Sequence, residues 1–300
     1  MAKFLRFIAF ACIIIGLSPS ASPAWGRGGH QIVAAIAETR LTTDTLAQVQ
    51  SILGDDKPLS DVANWADAVR RDRPKTASWH YVVLPTSLDD YESSPCLDGQ
   101  CLTGILPALV TELKENKSTA LDRHEQLKFL IHFVGDQAQP LHNTNENLDQ
   151  GGNKKKVSFY GVNSNLHSVW DGAILNRDMD LMQLSTADYA KNLNAVITAD
   201  EARLWHKGDF IAWTNEGHVI GIEYSYSNWS AEIGDDYFFQ CFPIIRTQLE
   251  KGGVRLAHVL NGIFDKNYDG KSAINRPLRL PADKPRLYQP AAKTSATATK

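Results

Sequence analysis

The sequence predicts an all-α protein: a single, mostly helical domain with a few short strands. Two observations carry this. Apolar residues recur at helical spacing in stretch after stretch, while runs with the alternation of a strand are scarce. A third, length, agrees. With the first 24 residues set aside, 276 remain, enough for one large domain or two small ones.

Residues 1–24 have the three zones of a secretory signal peptide. Lys3 and Arg6 make a basic start, FIAFACIIIGL from Phe7 is an apolar run, and Ser22-Pro23-Ala24 closes a small-residue stretch. The apolar run is too short for a membrane span, which needs about 20 residues, and no later run is long enough. Cleavage after Ala24 leaves Trp25 as the first residue, and the chain leaves the cytosol, secreted or periplasmic, with no membrane anchor.

Helical spacing then appears in HQIVAAIAETRL and in LSDVANWADAVRR, for which Ser60 is the expected N-cap. It continues in TGILPALVTELKEN, DRHEQLKFLIHFVGDQAQ, TADYAKNLNAVITAD, GDFIAWTNEGHVIGIEY and VRLAHVLNGIF. HYVVLP reads as a short extended piece and KKVSFYG as one arm of a hairpin. There is no internal repeat. The helical domain is bounded at 25–274, and 275–300, rich in Pro, Ala, Lys and Thr, stays outside the core.

Without Lys3 and Arg6 the chain holds 29 basic and 34 acidic residues, a net −5 with histidines neutral. A protein that grips nucleic acid by side-chain charge alone is usually basic, so such a substrate requires another source of positive potential. Cys12 leaves with the signal. Cys96 and Cys101, in CLDGQC, suit a disulfide in an oxidising compartment. Cys241, left odd in FFQCFPII, is expected as a buried free thiol.

Nine histidines are present, and several stand near an aspartate. His132 and Asp136 are four apart on one helix face. His142 follows Pro140, just past the helix end. His167 and Asp171 are again four apart. Asp67 and His80 flank a loop, and His30 opens the first helical pattern. Each of these has an ordinary reading when taken singly, as a packed histidine or a solvated aspartate. Together they are the imidazole and carboxylate set of catalytic zinc sites. His124, His206, His218 and His258 lack such company and are assigned to structure or surface.

The motifs W-x4-H at Trp25, WAD, the WHY that follows, H-x3-D-x5-H in HFVGDQAQPLH, and NLHSVWD occur in that order behind the signal. In this the chain resembles the secreted three-zinc single-strand nucleases of the S1/P1 type, over roughly 25–264 and most sharply up to Asp171. That family is related to the bacterial zinc phospholipases C, which share its helical fold. The resemblance implies three zinc ions per chain. One would take Asp67, His80 and His132. A second would take His30 with the amino group and carbonyl of Trp25, and Asp136 would bridge these two. The third would take His142, His167 and Asp171. It implies hydrolysis of single-stranded nucleic acid and of 3′-nucleotides to 5′-phosphorylated products and free 3′ oxygens. Asp67 and Asp136 would be the catalytic carboxylates, with Asp67 also orienting the nucleophile. The zinc ions would supply the positive potential that the side chains lack.

Tyr81 matches the family's base-stacking position, with core packing as its plain alternative. Arg70 reads equally as a phosphate contact or a solvated charge. Val83 stands where fungal members have a base-reading aspartate, Lys154 to Lys156 read as a solvated loop, and the second disulfide of fungal members has no partner for Cys241. Asn116-Lys117-Ser118 and Asn228-Trp229-Ser230 match the glycosylation sequon. No stable protein partner is evident. Two other readings stay open: a phospholipase C of the same fold, disfavoured by the tight W-x4-H spacing and the final aspartate of HSVWD, and a non-catalytic zinc-binding protein.

Overall fold

Residues 25–54, 58–82, 84–91, 96–116 and 121–270 are described by the computed structural model, and they are mostly helical as expected. The segment read as a signal, Val83, most of the first sequon and the segment 275–300 lie outside them. α1 (Arg27–Thr39) buries one stripe, Ile32, Val33, Ile36 and Ala37. α2 (Thr43–Leu53) escaped the sequence reading, although Thr42 caps it by accepting from the Thr45 N–H. The WAD stretch is two short helices, α3 (Leu59–Val62) and α4 (Trp65–Val69). Ser60 is therefore not an N-cap. Pro58 occupies that position, and the free Leu59 N–H is taken by the Glu38 carboxylate at 3.0 Å.

A seven-residue 3₁₀ helix, Pro74–His80, brings the chain to HYVVLP. That piece joins no ladder. Its backbone bonds singly to residues 142–145, through Val82 N to His142 O and Asn145 N to Leu84 O, each 2.8 Å. Pro85, which has no N–H, allows only an isolated bridge to Asn145. The Cys96–Cys101 disulfide is formed. It precedes α5 (Leu102–Lys114), whose first N–H, on Leu102, donates to Tyr81 O.

α6 (Arg123–Gln137) starts at an Asp122 cap and is buried from Gln126 to its end, polar residues included. After α7 (Pro140–Asn143), β1 (Lys156–Phe159) and β2 (Val162–Asn165) form the expected hairpin, with Val157 opposite Ser164. Its turn, Tyr160-Gly161, takes positive φ at both residues, as a two-residue hairpin turn of matching twist requires. α8 (Leu166–Ser168) runs through a π turn, Val169–Ala173, into α9 (Ile174–Met182). α10 (Thr186–Val196), α11 (Ala199–Trp205) and α12 (Phe210–Ile220) follow, and then β3 (Glu232–Ile233), which adds parallel to β1.

The last helix, α13 (Asp235–Phe264), is 30 residues long, about 45 Å. VRLAHVLNGIF is only its final third. It lies along α1, and Gly252 and Gly253 permit the approach. A Cβ on Gly253 would stand 2.4 Å from Ile36 Cγ2 and one on Gly252 3.1 Å from Val33 Cγ2. The main core cluster runs from Trp25 to Phe264 and takes in α1, α5, α6, α9, α10 and α13. No helix of the described residues is long and apolar enough to cross a membrane. Cys241 is free and buried, and burial pushes its thiol up to about 12.

Candidate metal centre

Three groups of side chains lie together, two where α6 meets α1, α4 and the end of the 3₁₀ helix and one carried by α7, α8 and the π turn. They are His30, His132 and Asp136; Asp67, His80 and His132; and His142, His167 and Asp171. Within each, one ligand atom per residue lies within 4.8 Å of the others. Every histidine and aspartate singled out in the sequence is thus drawn in.

Asp136, fully buried, is the hub. Its Oδ1 lies 3.3 Å from His30 Nε2 and 3.6 Å from His142 Nδ1. Its Oδ2 lies 3.0 Å from His80 Nδ1 and 3.2 Å from His132 Nε2. Asp67 completes the second group, with Oδ1 3.8 Å from His80 Nδ1 and Oδ2 3.8 Å from His132 Nε2. In the third, His167 Nε2 lies 3.2 Å from Asp171 Oδ2, and the His142 and His167 rings stack at 5.1 Å.

Backbone carbonyls set the rings. Nδ1 of His132, His142 and His167 lies 2.7 Å from the carbonyl oxygens of Ala63, His80 and Gly151 respectively. A carbonyl only accepts, so each Nδ1 carries the proton and donates it. Each Nε2 is left with a lone pair, the outer-sphere arrangement that orients metal-ligating histidines. His30 is set by packing. It stacks on His132 at 3.9 Å and rests on Gly135, where a Cβ would come within 2.6 Å of its Nδ1.

The electrostatics fit a cation. Burial works against ionising Asp136, yet His132, His30 and His80 hold its carboxyl well below the usual carboxylate range. Burial lowers His30 and pushes His142 to about 3 and His167 to about 4, which favours the neutral form that a metal ligand requires. Burial lowers His132 as well, but Asp136, Asp67 and the Ala63 carbonyl together raise it to about 9, so its Nε2 lone pair takes a proton that a bound ion would displace. Burial raises Asp171 well above its ordinary value. Both nitrogens of His30, both oxygens of Asp67, His80 Nε2, Asp136 Oδ1 and Asp171 Oδ2 are buried without a hydrogen-bond partner. Buried polar atoms are rarely left so, and here they face one another around common points. A divalent ion satisfies them together, so the donor set fits zinc.

Other residues fall as follows. Trp25 is fully buried and its side chain lies against Gly29, next to His30. The Gly26 N–H donates to Asp171 O at 2.6 Å. Tyr81, directly after His80, is 41% exposed, so it is not the core residue of a short strand. Arg70 Nη1 stands 3.9 Å from Asp67 Oδ1. The run Lys154 to Lys156 is more engaged than a solvated loop. Lys155 pairs with Glu146 at 2.6 Å and lies 4.6 Å from the Trp229 ring centre. His218 bonds to Leu88 O, and His206 stacks on His258, both structural as expected. The sequence reading missed Gln139, whose amide reaches Asp171 Oδ1 at 2.5 Å. Its place before Pro140 at a helix start was the available signal.

The family model described as S1/P1 Nuclease matches residues 25–265. Endonuclease 2 of Arabidopsis thaliana is 31% identical over 265 residues, covering 80% of this chain and 90% of the relative. Endonuclease 4 of the same plant is 32% identical over 273 residues, covering 80% and 89%. Nuclease P1 of Penicillium citrinum is 30% identical over 266 residues, covering 80% and 97%.

Proposed function

This chain belongs to the S1/P1 nuclease family, and on that premise we propose a secreted three-zinc endonuclease that cuts single-stranded DNA and RNA to 5′-phosphorylated products and dephosphorylates 3′-nucleotides. That it is a phosphodiesterase nuclease, a hydrolase of nucleic acid from a zinc-dependent family, follows from membership. The ion count, strand preference, 3′-nucleotidase activity and secretion are our reading. The observation that carries it is the set of partnerless buried atoms shared among three His/Asp groups.

In this reading Asp67, His80 and His132 hold one ion, His30 and the Trp25 amino group and carbonyl a second, and His142, His167 and Asp171 a third. Asp136 joins the first two. The ions supply Lewis acidity, lowering the pKa of water and neutralising phosphate charge. The chain does the rest. Asp67, whose two buried oxygens have no hydrogen-bond partner, accepts a hydrogen bond from the attacking water and aims it. Arg70, whose charge also acts on His167 and Asp171, reaches the phosphate between the groups. Tyr81 offers an exposed ring on which a base stacks once it has left its neighbours, which favours single strands with little base choice. Removal of residues 1–24 frees the Trp25 amine, and 25–274 forms the working domain.

The test is protein beginning at Trp25, assayed on single-stranded DNA, RNA, a 3′-nucleotide and phosphatidylcholine, with and without chelator, alongside zinc content. We expect three zinc ions, chelator-sensitive cleavage of the first three substrates and none of the lipid. Cleavage of the lipid alone transfers the chain to the phospholipase reading.

A further inference from the structure

Gln139 is fully buried and stands between two of the groups, three residues after Asp136 and three before His142. Its two amide atoms do different work. Oε1 accepts the Leu141 N–H at 2.6 Å, capping α7, the four-residue helix that carries His142. An N–H needs an oxygen, so this contact fixes which way the amide is turned. Nε2 must then face Asp171, and it donates to Oδ1 at 2.5 Å. With Oδ1 taken, Asp171 Oδ2 is the atom left without a partner, and it is the one beside His167 Nε2. The main chain of Gln139 is equally tied. Its N–H donates to Asp136 O at 3.0 Å, and its carbonyl accepts from His142 N and from Asn143 Nδ2.

We infer that Gln139 is the positioning residue of the His142–His167–Asp171 group. It assigns one oxygen of Asp171 to itself and the other to the ion, and it orients the helix bearing His142. His167 is set separately, by Gly151 O. One neutral side chain therefore governs two of three ligands and links their group to the end of α6, where Asp136 sits. Gln139 touches no ion and no substrate. The inference rests on the zinc reading above.

The test compares wild type with Gln139→Met, which keeps the length and apolar bulk but cannot donate. Gln139→Glu accompanies it, keeping an acceptor for Leu141 N–H while losing the donor to Asp171. Zinc content is measured after dialysis and zinc affinity by chelator competition. Gln248→Met is the structural control, since buried Gln248 donates to Ala138 O at 3.1 Å without touching a ligand. Both Gln139 variants are expected to retain two ions and bind the third about 10–100-fold more weakly, the usual effect of an outer-sphere partner. Gln248→Met should lower the melting temperature and keep all three. Adding Gln139→Met to Asp171→Ala should weaken zinc by less than Gln139→Met does in wild type, since only the hold on the helix bearing His142 remains to be lost. Three ions of wild-type affinity in both Gln139 variants overturn the inference while leaving the zinc reading standing. Fewer than three ions in wild type overturn both.

Discussion

Replacing Gly135 with alanine tests how tightly the metal centre depends on helix packing. The new Cβ would lie 2.6 Å from His30 Nδ1 and 3.1 Å from Cε1. Ordinary carbon–nitrogen contact requires roughly 3.4 Å or more, so about 0.8 Å must be found. α1 has little room to retreat, because Val33 and Ile36 already sit against Gly252 and Gly253 of α13. The His30 ring must therefore turn or slide away from Asp136. Overpacking costs about 1–3 kcal/mol, partly offset by the roughly 1 kcal/mol that alanine gains over glycine within a helix. Stability should fall by no more than about 2 kcal/mol. Zinc binding is far less forgiving, since ligand distances tolerate about 0.2 Å. We expect at least about a tenfold loss of affinity for the ion held by His30, about 1.4 kcal/mol, with nuclease activity falling in parallel. The assay pairs a chelator-competition titration with a melting curve of the metal-free variant. Wild-type zinc affinity in a folded Gly135→Ala protein would refute the reasoning, because it would mean that the α1–α6 seam has slack.

Four further outcomes follow from the same structure. Asp136→Asn should lose zinc from two groups together and abolish cleavage; full zinc content with normal rates would rule out a shared carboxylate. Tyr81→Ala should weaken single-strand binding by about 1–3 kcal/mol, the range for one stacked base, and do so similarly for different bases; unchanged affinity by fluorescence anisotropy would remove the stacking role. Protein with one residue added before Trp25 should fold but bind less zinc than protein starting at Trp25, since an amide nitrogen is a poor ligand; equal zinc content would take Trp25 off the ligand set. Burial raises Glu250 from 4.5 to about 7, with Glu201 adding to the rise and Arg246 and Arg40 opposing it. Because the folded value lies above the unfolded one, the stability this group contributes is complete below about pH 4.5 and is lost as pH rises through 7. Glu250→Gln should thus stabilise the protein by on the order of 2 kcal/mol at pH 8 and by nothing at pH 4.5, and equal shifts in melting temperature at both pH values would contradict this.

What was legible in the sequence was local. His132 and Asp136 share a helix face by spacing alone, and KKVSFYG marks one arm of the hairpin. Caps were less legible: Ser60 was expected at a start that Pro58 occupies, while Asp122 and Ser185 cap α6 and α10. The helical class follows from the same periodicity. What was not legible depends on contacts far along the chain. Pro243 and the pair Gly252-Gly253 are breakers by local rule, so α13 read as a short terminal helix. In the fold the glycines are where α1 comes close, and tertiary packing outweighs their propensity. The π turn at Val169–Ala173 leaves no periodic signature, yet it seats Asp171. Asp67 and His80 stand 13 residues apart with no periodicity to join them, and the carbonyls that turn His132, His142 and His167 carry no residue type at all. Gln139 shows its cap position in the sequence but not its partner Asp171, which lies 32 residues further along.

The seam between α1 and α13 also decides when the protein can fold. Val33 and Ile36 find their bed in Gly252 and Gly253, about 220 residues later in the chain. Contacts of that separation form slowly, since a long loop must close before they are rewarded. As the chain is made, the helix bearing His30 can settle on α3, α6 and α10, but its side facing Gly252 and Gly253 stays uncovered until α13 has been made. Full packing of the first helix described waits for the last, so the wall that His30 provides is held on every side only after synthesis has passed residue 253.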